Sequence, residues 1–424
     1  MKTDRKVSMK ESNGKEKGEK KVTELNIFSV PLDVGEIKED LTINTNNPSH
    51  PSKKKEIINQ AIKLHLQGKI SEATKYYQYS INNGFIDHRV FFNYGSILID
   101  HKKLKEAEKY LRKAIQLNPN FVKAHINLGG ILKDQGKLKD AEKHYKKATE
   151  LNPELAKGYF SLSTLPYSSD CIKWKDKLFS ESILLNKQKN ELIDIYFARA
   201  NILHKEKNYK ESSRYLKLAN KLKLDIYPSK PYEIGNKSKA LLIESDKKEI
   251  NKKETRNSYQ SIFIVGMPRS GSTLLESIIS MNINVDDLGE INILEESFIE
   301  YKTNNQGLTF AELYWKKSNN NKNELNITTN KYLDNYQYAG IIAKHIPNAK
   351  IIHCFRNPLD NILSIYRAHF AKGNEYSSSL IDCANIYLNQ EELMTEYKKR
   401  FRSKIYDLNY DSLVINPKKE IKSL

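Results

Sequence analysis

The stretch SIFIVGMPRSGSTLLESIIS, residues 261–280, sets Gly266 and Gly271 on either side of four residues and follows them with Ser272 and Thr273. This spacing belongs to a phosphate-binding turn, in which backbone amides at a helix start face an anion and the helix dipole favours negative charge. A nucleoside triphosphatase places lysine directly after the second glycine to handle its β- and γ-phosphates. Ser272 stands there instead, which leaves open what anion such a loop holds without that lysine. Arg269, Ser270, Gly271, Ser272 and Thr273 are the candidate anion-binding residues.

Such a loop works only between a strand and a helix. SIFIVG is a short apolar, β-branched run ending at Gly266, and STLLESIIS has helical spacing. The same order recurs twice: NAKIIHCF, 348–355, leads into RNPLDNILSIYRAHF, and SKIYDLNY, 403–410, leads into DSLVINPKKEIKSL. Strands alternating with helices predict a parallel sheet covered on both faces, with ligands at the carboxyl ends of its strands. Arg269 and Arg356 both fall just past such ends. Helical spacing also puts Asp360 on the face that carries Ser364, with Asp360 read as a capping or structural residue.

A different architecture precedes the loop. Ala73, Ala107 and Ala141 recur every 34 residues, as do Gly95 and Gly129, and Pro119 and Pro153. In NLGGILKDQGKLKDAEKHYKKATELNP, Gly129, Ala141 and Ala148 fall where two antiparallel helices must approach. Leu128, Leu132 and Tyr145 fill the gaps, and Pro153 stops the second helix. Residues 54–223 therefore predict an all-α solenoid of about five hairpins. The fourth is degraded through STLPYSSDCIKWKDKLF, and the fifth is restored by Ala200, Ser212, Leu216 and Ala219 after a slip of three residues. Its concave face is a candidate peptide groove; a spacer or a homodimer surface is the competing use. Residues 1–53, rich in Lys, Glu, Asn and Ser, predict a disordered basic and polar tail, and residues 224–258 predict a linker.

The chain of 424 residues carries 70 Lys and Arg against 52 Asp and Glu, a formal charge of +18. That balance favours anionic partners. No nucleic-acid recognition motif accompanies it, so nucleic acid is not expected. Cys171, Cys354 and Cys383 are odd in number, scattered and without ligand spacing, which argues against a disulfide framework or a metal site. No apolar run reaches the ~18 residues that span a bilayer, and the amino-terminal residues lack the apolar core of a secretory signal. A cytoplasmic protein without a membrane span is expected.

The period and the Leu-Gly, Ala, Tyr, Ala, Pro succession resemble the tetratricopeptide repeat. PRSGSTLLE is similar to the 5′-phosphosulfate loop of sulfotransferases that use 3′-phosphoadenosine 5′-phosphosulfate (PAPS), and FRNPLDNILSIY is similar to their 3′-phosphate element. The likeness covers residues 261–424 and points to tyrosylprotein sulfotransferases and to bacterial proteins that join such a domain to tetratricopeptide repeats. It implies a multidomain chain: a tetratricopeptide solenoid at 54–223, then an α/β, P-loop-like sulfotransferase domain with a parallel sheet at 259–424. Because the sequence ends at Leu424, within the helix after the last recognised strand, that domain is expected to be truncated at its carboxyl end.

The resemblance also implies roles. Arg269, Ser270, Gly271, Ser272 and Thr273 would surround the 5′-phosphosulfate, Arg356 and Ser364 would hold the 3′-phosphate, and Tyr410, in LNYDSLV, would lie near the nucleotide. Glu290, in DDLGEINIL and 21 residues after Arg269, matches the general base of the tyrosine enzymes. Lys331, in TTNKYLDNY, matches their catalytic lysine, acting with Arg269 on the bridging oxygen and the sulfuryl group, without a metal. His345, His353 and His369 are possible bases that fit the pattern less well. PAPS is thus the expected co-substrate, and the acceptor a hydroxyl of a protein, peptide or carbohydrate recruited by the repeats. The competing reading is a tetratricopeptide scaffold whose sulfotransferase-like domain binds nucleotide without turnover.

Overall fold

The computed structural model describes residues 51–166, 172–247, 260–303, 307–318, 327–371 and 373–424. The tail expected over residues 1–53 lies almost wholly outside them. Four antiparallel helix pairs come first, α1 (Pro51–Leu66) with α2 (Ile70–Asn82), α3 (His88–Asp100) with α4 (Leu104–Leu117), α5 (Val122–Asp134) with α6 (Leu138–Leu151), and α9 (Lys189–Lys205) with α10 (Tyr209–Ile226), while between the third and the last α7 (Ala156–Thr164) packs on α9 rather than on the short α8 (Ile172–Phe179). The repeated small residues are where the helices of a pair touch. Ala73, Ala107 and Ala141 are fully buried, and a Cβ on Gly129 would fall 2.7 Å from Tyr145 Cδ1. The expected fourth hairpin does not close on itself: Pro166 pushes Leu165 into extended backbone and stops α7, which pairs with α9. Arg199, 2% exposed, repairs the junction that follows. Its guanidinium donates to the carbonyls of Leu178 and Ser180, each at 2.9 Å.

Residues 231–246, inside the expected linker, form α11 (Pro231–Asp246). Pro231 opens it, where a missing amide costs nothing. The helix was not visible as a stripe because it makes separate contacts. Ile234 meets the Met267 and Ile365 cluster, while Leu241 enters the core under Phe263 and Val265.

The remainder is a five-stranded, wholly parallel sheet of order β2-β3-β1-β4-β5. In chain order its elements are β1 (Gln260–Gly266), α12 (Ser272–Ile279), β2 (Val285–Asp287), α13 (Ile293–Thr303), α14 (Phe310–Ser318), β3 (Ile327–Asn330), α15 (Ala339–His345), β4 (Ala349–Phe355), α16 (Pro358–Tyr366), α17 (Leu380–Phe401), β5 (Ile405–Asn409), α18 (Tyr410–Ile415) and α19 (Pro417–Ser423). β1 is central and buried on both faces: Phe263 and Val265 pack against Tyr314, Ala339 and Leu393, and Ile264 packs against Leu275, Ile352 and Leu408. The chain crosses from β3 on one side of β1 to β4 on the other, so the strand order reverses there and a crevice opens at the carboxyl end of β1.

The repeats are docked on this domain. His369, just past α16, lies flat on Phe197 of α9 with ring centroids 4.5 Å apart, and its Nε2 is 3.0 Å from Asp194 Oδ1. On α10, Asn220 Nδ2 donates to Tyr366 O and Lys223 Nζ to Phe370 O, each at 3.0 Å.

Candidate active site

The loop after β1 is built around its glycines. A Cβ on Gly266 would overlap the Cys354 carbonyl oxygen, and one on Gly271, whose φ is 89°, would enter the Tyr410 ring. Asn361 of α16 donates to Pro268 O at 3.0 Å and ties the loop down. Arg269 sits in the left-handed region at φ 67°, a costly conformation for a residue with a side chain, and is exposed. Its Nε is 3.4 Å from Ser364 Oγ. Ser270 is 2% exposed, and its Oγ finds no hydrogen-bond partner among the described residues. Ser272 is buried and Thr273 is exposed at the start of α12, where first-turn amides lack intrahelical partners.

β1 and β4 are neighbours, with Gly266 opposite Cys354, so Arg269 and Arg356 leave one edge of the sheet from strands about 5 Å apart. The Arg356 guanidinium lies 5.2 Å from the Tyr410 ring centroid, and its Nε is 3.7 Å from Asp411 Oδ1. Tyr410 thus bridges Gly271 and Arg356. Asn357 caps α16 by accepting from Leu359 N at 3.0 Å and Asp360 N at 3.2 Å. The capping role considered for Asp360 belongs to Asn357, three residues earlier.

On the other side of the loop, short strands bring a carboxylate and a cation together. Leu288 N donates to Thr329 O at 3.0 Å and Lys331 N to Gly289 O at 2.9 Å, so the pairing of β2 with β3 runs on past both strands and holds Glu290 beside Lys331. Lys331 Nζ forms an ion pair with Glu290 Oε1, lies 3.6 Å from Glu276 Oε2, and lies 3.4 Å from Thr273 Oγ1. These charges are buried: the Lys331, Glu290 and Glu276 side chains are 5%, 5% and 8% exposed. Glu290 Oε2 is buried without a hydrogen-bond partner among the described residues. Burial pushes the Glu276 carboxyl up to about 8 against the pull of Lys331; Asp287 adds to the rise and Lys102 opposes it.

The three histidines are committed elsewhere. His353 is fully buried between Asp407, 3.4 Å from Nδ1, and Gln390, 2.8 Å from Nε2. His369 serves the junction with the repeats, and His345 packs edge-on against Phe310. Glu276 was not singled out by sequence. The available signal was its place three residues after Thr273, on one face of the otherwise apolar STLLESII.

Residues 299–424 match the sulfotransferase family, and residues 88–121, 122–155 and 193–226 each match the tetratricopeptide repeat. The chain joins tetratricopeptide repeats to a sulfotransferase-family domain. The family match takes in Lys331, Arg356, Ser364 and Tyr410. It begins after the glycine loop, Glu276 and Glu290, whose grouping rests on geometry. An uncharacterised protein of Aquifex aeolicus (strain VF5) is 28% identical over 191 residues, covering 39% of this chain and 25% of that protein, so the match spans about a quarter of the relative's length. Among solved structures, the MamA RS-1 ArsTM double mutant has 14% identity and a TM-score of 0.31, over 42% of this chain and 97% of that one. The crystal structure of YrrB, described as a TPR protein with an unusual peptide-binding site, has 16% identity and a TM-score of 0.26, over 41% and 85%. Among the described residues no helix is long and apolar enough to cross a membrane.

Proposed function

We propose that the sulfotransferase-family domain moves the sulfuryl group of PAPS to a hydroxyl of a protein, peptide or carbohydrate acceptor, in the cytoplasm. One observation carries this reading. Glu290 has one carboxylate oxygen anchored on Lys331 and the other buried without a hydrogen-bond partner among the described residues, beside the helix start that would receive the donor's charged end. A buried, oriented carboxylate with a spare oxygen is what proton removal from an incoming hydroxyl requires.

The loop residues fit such a donor, since the Ser270 hydroxyl is buried without a hydrogen-bond partner among the described residues and Gly271 leaves room only for backbone. When bound, PAPS supplies an activated sulfuryl group whose leaving oxygen gathers negative charge. In this reading Arg269, Ser270, Gly271, Ser272 and Thr273 bind the 5′ end, Arg356 and Ser364 bind the 3′-phosphate, and Tyr410 braces both. Glu290 takes the acceptor proton. Lys331, kept at Thr273, and Arg269 place positive charge at the departing oxygen. The repeats, docked through α9 and α10, recruit the acceptor.

Calorimetry with PAPS, its desulfated product and ATP tests the assignment. PAPS and the desulfated nucleotide are expected to bind, and ATP to bind more weakly or not at all. Binding of ATP alone would remove the sulfotransferase reading, and binding of PAPS without turnover of any acceptor would leave a nucleotide-binding scaffold.

A further inference from the structure

We infer that Lys102, from the turn between the helices of the second repeat, is a positioning residue of the sulfuryl-transfer site, bracing the Asp287–Glu290 loop from outside the catalytic domain. The inference rests on the function proposed above. Its support is contact. The space a Cβ would take on Gly289 is occupied by Lys102 Nζ, and Asp287 Oδ1 lies beside the same position at 3.9 Å. Gly289 carries a φ of 62° and immediately precedes the base, while Asp287 Oδ1 accepts from Gly289 N at 2.6 Å. Lys102 therefore touches the turn that aims Glu290.

The turn that carries Lys102 is built as in the other hairpins. Two residues before the second helix of four hairpins the backbone is left-handed: Gly68 at 71°, Lys102 at 59°, Gly136 at 74° and Lys207 at 62°. Glycine meets this requirement without strain. The first and third hairpins use it, whereas the second and the last carry a lysine there, in a conformation that disfavours side chains, so what sets Lys102 apart is its contact with Gly289 and not its backbone. The charges facing Lys102 and its contacts are Asp287 from β2, Glu276 from α12, Glu290 from the following loop and Lys331 after β3. Glu276 and Glu290 share the buried Lys331 ammonium, Asp287 lies beside Gly289, and Lys102 supplies a second positive charge at that turn. Its electrostatic pull on Glu276 agrees with that placement. Because Lys102 is itself exposed, replacing it leaves the core of the repeats untouched.

The test has two readouts on the full chain. Zero-length carbodiimide coupling followed by peptide mass spectrometry is expected to join Lys102 to Asp287; failure of that link while other lysine–carboxylate pairs couple would overturn the contact. In turnover assays with PAPS, Lys102→Ala is expected to lower kcat/KM roughly three- to tenfold and to displace the pH–rate profile upward by ~0.3–0.5 unit, because the carboxylates lose a neighbouring cation. Lys102→Arg is expected to restore both, and Lys103→Ala, on the same turn, to match the wild type. A wild-type rate and profile in Lys102→Ala would overturn the positioning role. A wild type that transfers no sulfuryl group at all would instead overturn the function on which the inference rests.

Discussion

Lys331 has more neighbours than a simple ion pair needs: two carboxylates and a threonine hydroxyl converge on one buried ammonium. The second carboxylate, Glu276, gives the site a pH dependence of its own. Its proton is held up to about pH 8 in the folded chain, against an ordinary value of 4.5. Below the ordinary range both folded and unfolded chains carry that proton, so the group adds no slope. Between there and about pH 8 only the folded chain carries it, and its contribution to stability falls as pH rises through the window. Glu276→Gln removes the ionisation. Its melting temperature is expected to depend less on pH between 5 and 8 than that of the wild type, gaining most at the upper end. A variant that melts in parallel with the wild type across that window would show that Glu276 is solvated.

At the scale of elements, legibility followed the length of the signal. The 34-residue period exposed the repeats because the same close approach is copied at Ala73, Ala107 and Ala141, and β1, β4 and β5 announce themselves as apolar runs ahead of helical ones. β2 and β3 do not. They are three and four residues long, VDD and ITTN, without an apolar run, and pairing with their neighbours rather than propensity makes them strands. Lys331 and Glu290 could be named from the resemblance, but their meeting depends on those strands. α11 was hidden because its contacts are split between two clusters, and Lys102 because nothing local ties a repeat turn to a loop far along the chain. The glycine loop makes a sharper demand. Gly271→Ala puts a methyl into the Tyr410 ring at a left-handed position, at a cost of ~1–3 kcal/mol. Since Tyr410 also supports Arg356, the variant is expected to lose PAPS affinity, measured by calorimetry, while its far-ultraviolet circular dichroism stays that of the wild type.

For the whole molecule, the repeats and the sheet domain share a junction centred on His369, stacked on Phe197 and hydrogen-bonded to Asp194. Burial lowers the His369 pKa, with Asp194 opposing the shift. His369→Ala forfeits the stack and leaves Asp194 without that partner, a loss of ~1–3 kcal/mol. Hydrogen exchange over residues 366–378 is expected to quicken, and thermal unfolding to separate into two steps; unchanged exchange there would mean that the docking does not depend on this residue. Such docking goes with the second repeat's turn lying against Gly289 through Lys102, so that on the proposed function the site draws on both halves of the chain. The central claim, that a carboxylate held by Lys331 removes a proton while the glycine loop holds a sulfuryl donor, is tested most directly by single-turnover transfer from PAPS in Glu290→Gln, with PAPS affinity measured on the same sample. Affinity within about twofold of the wild type, together with transfer slowed by ~100-fold or more, is the expected result; equal transfer rates in variant and wild type would contradict the claim.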